Sequence, residues 1–139
     1  MLFHTLLASL LSALLSGPGS DVLLVTRADP GETLSDRTAA RLFLKDKQFW
    51  KNGQRVVPVN LPPAHEAREA FTRSILKRSR RELVEFWTEQ HFKGVEPPVV
   101  LESEDAVKAF IRQVDGAVGY IRRDRLDPDL RVLLVIAAP

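Results

Sequence analysis

The chain has 139 residues, about the size of one domain, and no cysteine, so it can hold neither a disulfide framework nor a thiolate metal site. Its 20 basic and 18 acidic residues leave a formal charge of +2, with the two signs interspersed. That pattern argues against nucleic-acid binding, which gathers basic residues into a stripe with few acids among them.

Residues 1–20, MLFHTLLASLLSALLSGPGS, contain no Asp, Glu, Lys or Arg and hold an apolar run at positions 6–15. Such a run is too short to cross about 30 Å of hydrocarbon as a helix, but it suits the core of a signal peptide. Small residues and a proline at positions 16–20 supply the break expected before cleavage. The reading is an exported chain, periplasmic or secreted, with its mature domain at 21–139; an uncleaved membrane-associated segment and an ordinary helix of the fold are the alternatives for residues 1–20.

Within that domain, DVLLVT at 21–26 is a compact apolar run and reads as an interior strand. After a turn through Asp29, Pro30 and Gly31, Ser35 is a helix N-cap with Asp36 in the first turn and Leu34 as staple. The helix runs to about Leu44, burying Ala39, Leu42 and Phe43 and wetting Arg37, Arg41 and Lys45. Asn52 and Gly53 mark a turn, and residues 55–61 form a second strand. Pro58 within it predicts an edge, an end or a bulge. Pro62 and Pro63 then turn the chain into a helix over 66–76, with Ala67, Phe71 and Ile75 inward.

Ser79 and Glu82 form a capping box for a further helix, from Arg80 to about His91, with Leu83, Phe86 and Trp87 inward. The basic run KRSRR is then one cationic helix end followed by a new cap, the alternative being a dedicated polyanion patch. A proline loop and the run Val99, Val100, Leu101 follow. Ser103 or Glu104 begins a helix through Val114, presenting Val107, Phe110, Ile111 and Val114 to the core. Strands at 117–121 and 131–136 complete an α/β alternation.

Chemistry is sparse. The three histidines lie far apart with no HExxH spacing, and no GxSxG, GxGxxG or P-loop pattern is present, so no catalytic, metal or cofactor site is expected. The acidic pairs Glu102/Glu104 and Asp127/Asp129 lack a Ca²⁺-loop pattern. What remains is His65, Glu66, Ala67 and Arg68 at a helix N-terminus beyond a strand end. Free backbone N–H groups there can take an oxyanion, with Arg68 adding a charge-assisted fork. The alternative is a surface pair of Arg68 with Glu66 or Glu69. Trp50 reads as a lid over the core together with Phe49, and Gly119 with Tyr120 as a tight strand position beside an amphipathic ring.

LFLKDKQFWKNGQRVVPVNL at 42–61, REAF at 68–71 and AFIRQVDGAVGYI at 109–121 resemble, in that order and spacing, the phosphate ABC transporter substrate-binding proteins, and among them short members of little more than one lobe. The family pattern is Ile/Leu-Phe-x-Gly-Lys at a helix end, Trp-x-x-Gly, a Val-rich strand and later Gly-Ala-Ile-Gly-Tyr. Trp50 and Gly53 fall on the second motif; Gly116, Ala117, Gly119 and Tyr120 fall on the last. Arg68 falls on the arginine that follows a phosphate-cradling Ser-Gly-Thr, where this chain has His65, Glu66 and Ala67; Lys45 replaces the helix-end glycine.

The resemblance covers residues 22–136 and implies an α/β fold, a single lobe of the type 2 periplasmic-binding-protein-like kind, with a mixed sheet flanked by helices. It also implies a non-enzymatic, exported solute-binding-like protein without cofactor. Phosphate or another small oxyanion would be held weakly by the candidate anion-binding residues His65, Ala67 and Arg68, and a periplasmic or membrane protein would be the macromolecular partner. The alternative it implies is an interaction or accessory module that has lost phosphate binding, which predicts an exposed apolar patch where a second lobe would dock.

Overall fold

The structure is a computed structural model that describes residues 21–137. The leader read at residues 1–20 lies outside the described residues. Five strands form one mixed sheet in the order β3-β2-β4-β1-β5. The first, β1 (Val22–Thr26), is buried along its whole length, as its unbroken apolar run predicts. It pairs antiparallel with β4 (Ala117–Arg122) on one side and with β5 (Arg131–Ile136) on the other. The second, β2 (Val57–Asn60), lies parallel to both β4 and the two-residue β3 (Val99–Val100).

Pro58 is buried and its strand is interior, so it does not stand on the sheet edge. The reason is local. The Val57 N–H points to β4, where it donates to the Gly116 carbonyl at 3.0 Å, so the Pro58 nitrogen faces the other way. On that side β3 pairs only from Val59 onward, and no ladder bond is lost.

Helices cover both faces. Helix α1 (Asp36–Phe43) starts at Ser35, whose hydroxyl accepts from the Thr38 N–H, and buries Ala39, Leu42 and Phe43. Just beyond its end Lys45 sits at φ 59°, the left-handed conformation that glycine adopts most readily, at the position where the resemblance expects glycine. Helix α2 (Glu66–Phe71) continues into a π-helical turn at Thr72–Leu76, and Ala67, Phe71 and Ile75 are buried as the four-residue spacing predicts. The Phe71 ring stacks on Tyr120 at 4.4 Å between centroids and lies 4.6 Å from Phe43, joining α1, α2 and β4. On the opposite face, α4 (Glu104–Gln113) rests Val107 and Ile111 on β4 beside Gly119. A Cβ at Gly119 would come within 2.6 Å of Val107 Cγ1, so the missing side chain sets how closely this helix approaches.

Two expectations change. Trp50 is buried, its indole N–H donating to the Gly116 carbonyl at 3.0 Å, but Phe49 is 52% exposed beneath the Arg55 guanidinium and takes no part in the lid. Helix α3 (Arg80–Phe92) has both halves of its capping box, yet buries no residue. Leu83, Phe86 and Trp87 are only half-buried, so they form no core face. Phe86 instead packs edge-on against Trp87, under the Arg78 guanidinium.

Candidate functional site

The corner read from the sequence lies where β2 ends and α2 begins. Asn60 and Leu61 close the strand, residues 62–64 turn, and His65 to Arg68 open the helix. Tyr120 reaches this corner from β4. Its hydroxyl donates to Asn60 Oδ1 at 2.9 Å and accepts from the Leu61 N–H at 3.2 Å. Burial pushes the phenol far above its ordinary pKa, against the opposing pull of the Leu61 hydrogen bond and the Arg68 charge. Tyr120 is thus a fixed hydroxyl strut.

The structure brings His65, Ala67 and Arg68 together and gives each an internal partner. The Ala67 N–H, the type of donor an oxyanion requires, donates to His65 Nδ1 at 3.0 Å. This bond makes Nδ1 the acceptor and assigns the imidazole proton to Nε2. Nε2 lies 3.5 Å from Glu104 Oε1. Arg68 turns back to donate from one terminal nitrogen to the Leu61 carbonyl at 2.8 Å, instead of pairing with Glu66 or Glu69. A strand-end carbonyl and helix-start N–H groups are what such a corner leaves unpaired, and the chain's own side chains take up the Leu61 carbonyl and the Ala67 N–H.

Behind His65 stands a network absent from the expectations. Glu104, only 5% exposed, accepts from the Arg122 N–H at 2.8 Å and from the Arg122 guanidinium at 3.0 and 2.9 Å. That hydrogen bonding holds the Arg122 charge more firmly than usual. Glu104 was legible as a helix start and as one of an acidic pair but not as an ion-pair partner, because Arg122 lies 18 residues away on another element. Asp127 and Asp129, the other pair, are clamped by Arg112 at 2.7 Å each, with Lys108 also 3.0 Å from Asp127. Among the described residues no group of three His, Cys, Asp or Glu is placed to hold a metal ion.

Arg68 also lines a second feature. Between α2 with its π turn and the flank of α3 runs an open groove of about 1170 Å³. Its lining includes Leu83, Val84, Trp87 and Phe92 together with Arg73, Arg78 and Arg80. Sequence reasoning missed it because it folded the apolar side of α3 into the core.

No protein-family model matches the chain, and no curated protein matches it by sequence. Solved structures do match. A protein from Clostridium perfringens described as a phosphate ABC transporter substrate-binding protein, with bound phosphate, superposes with a TM-score of 0.65 at 16% identity over 81% of this chain and 43% of that one. An ABC-type phosphate transport receptor from Vibrio cholerae gives 0.63 at 16% identity, over 81% and 44%. PstS from Borrelia burgdorferi gives 0.61 at 13%, over 81% and 46%. The chain therefore spans less than half the length of each. At these identities the likeness is one of fold. The chain has the architecture of one lobe of a type 2 periplasmic-binding-protein-like fold, a mixed sheet flanked by helices.

Proposed function

We propose that this chain is an exported, non-enzymatic interaction module built on a solute-binding lobe whose anion corner is closed by its own side chains. One observation carries the reading: the Ala67 N–H is occupied by His65 Nδ1 while Arg68 is turned onto the Leu61 carbonyl. An incoming oxyanion would have to break a helix cap and a charge-assisted bond, each already satisfied, while water competes from the open side. Glu66 and Glu69 in the first turn of α2 further oppose a negative ligand. Export follows from the leader-like composition of residues 1–20.

The test is calorimetry of the full chain with inorganic phosphate and with sulfate at millimolar concentration, beside Arg68→Ala. Neither anion should give saturable heat, and the two proteins should be indistinguishable. A second reading, weak oxyanion binding at His65, Ala67 and Arg68, is favoured by the half-buried Arg68, which spends a single N–H on Leu61. Saturable phosphate heat that Arg68→Ala abolishes would establish that reading and overturn the first.

A further inference from the structure

We propose that the groove between α2 and α3 docks an acidic, amphipathic helical segment of a partner protein. The proposal rests on the interaction-module reading and assigns its site and partner chemistry.

The first observation is the state of α3. Its capping box defines its start, but none of its residues is buried and Leu83, Phe86 and Trp87 are only half-covered, so it has little of the apolar docking that most protein helices depend on. Leu83, Val84 and Trp87 form a stripe at i, i+1 and i+4 facing the groove, with Val84 61% and Phe92 86% exposed. At about 1170 Å³ the groove is larger and more open than the usual enclosed pocket for a small solute. An apolar stripe along an open trough suits a helix laid into a groove.

Charge chooses the partner. Four arginines line the groove, Arg68, Arg73, Arg78 and Arg80, against the carboxylates Glu69 and Glu96. Glu96 is already held by His91 Nδ1 at 2.7 Å. Arg73 and Arg80 make no ion pair among the described residues, and they sit on opposite walls, one on the π turn and one at the start of α3. A segment with apolar residues below and carboxylates at its flanks would meet both walls at once. Among the described residues a second copy of this chain offers no such segment. Helices α1, α2 and α4 turn their apolar residues into the core, and α3 against α3 would bring the same arginines together.

The experiment uses the full chain and three labelled synthetic helices of one amphipathic pattern: leucine with glutamate, leucine with glutamine, and leucine with lysine. The glutamate peptide should bind saturably, more weakly as salt rises, and shift amide resonances of α3 and the π turn. The double variant Arg73→Glu/Arg80→Glu should lower its affinity about tenfold or more, with the circular dichroism spectrum unchanged. Trp87→Ala should weaken the glutamate and glutamine peptides alike. Absence of saturable binding by the glutamate peptide, or equal affinity for the lysine peptide, would overturn the proposal. So would sedimentation of the free chain as a dimer that Trp87→Ala dissociates, since the groove would then serve a second copy. Phosphate calorimetry separates the two claims. Silent phosphate with no peptide binding sinks only the groove, whereas Arg68-dependent phosphate heat sinks the closed corner.

Discussion

The head of α2 and the flank of α3 begin alike, each as a helix entered through a side-chain cap, yet they end in opposite states. At α2 the cap belongs to a network: His65 holds the Ala67 N–H, Arg68 holds the Leu61 carbonyl, and Phe71 stacks on the buried Tyr120. At α3 the cap stands by itself, and the side chains behind it lean on one another and on Arg78 instead of on the sheet. A cap specifies where a helix starts and nothing about what its apolar side will touch. At the corner the Ala67 N–H and the Leu61 carbonyl are both taken by side chains of the chain itself. The flank of α3 still has apolar area and unpaired charge to satisfy.

The largest effect is expected at the buried head of α2. Phe71→Ala removes the ring that ties α1, α2 and β4 together and should cost about 3–5 kcal/mol in urea unfolding, enough to unfold a marginal domain. Next comes Tyr120→Phe, which keeps the ring but strands Asn60 Oδ1 and the Leu61 N–H in the interior; about 1–3 kcal/mol should be lost. If that variant were as stable as wild type, the strut would not be holding the corner.

Smaller effects sharpen the other end. Ser79→Ala removes the α3 cap and should cost that helix about 0.5–2 kcal/mol. Native-state hydrogen exchange should show faster exchange at α3 amides with those of β1 and β4 unchanged, because α3 shares little packing with the sheet. The smallest expected effect is that of acid on the Arg112 cluster. Hydrogen bonds hold the carboxyl of Asp127, from Lys108 and then Arg112, and that of Asp129, from Arg112, below the ordinary range. The unfolded chain then binds more protons in acid, so their contribution is present above the unfolded value of about 3.9 and disappears as pH falls through the folded ones. Asp127→Asn/Asp129→Asn should flatten the acid limb of stability measured from about pH 2 to 5, and at neutral pH should lower stability by an amount that no longer varies with pH.

Much of this architecture is local and was readable in the chain. The run at 22–25, the Ser35, Ser79 and Ser103 caps, and the spacing of Ala67, Phe71 and Ile75 each declare an element through contacts within a few residues. The motif order from Trp50 to Tyr120 pointed to the right fold even at the 13–16% identity of the matching structures. Tertiary structure alone decided the rest, because it depends on how separate elements are placed against one another. The Leu61 carbonyl becomes the partner of Arg68, Arg122 comes round to Glu104, and Leu83 with Trp87 is left at a groove instead of in the core. Periodicity identifies the apolar side of a helix, but only the placement of the neighbouring elements determines whether anything lies against it.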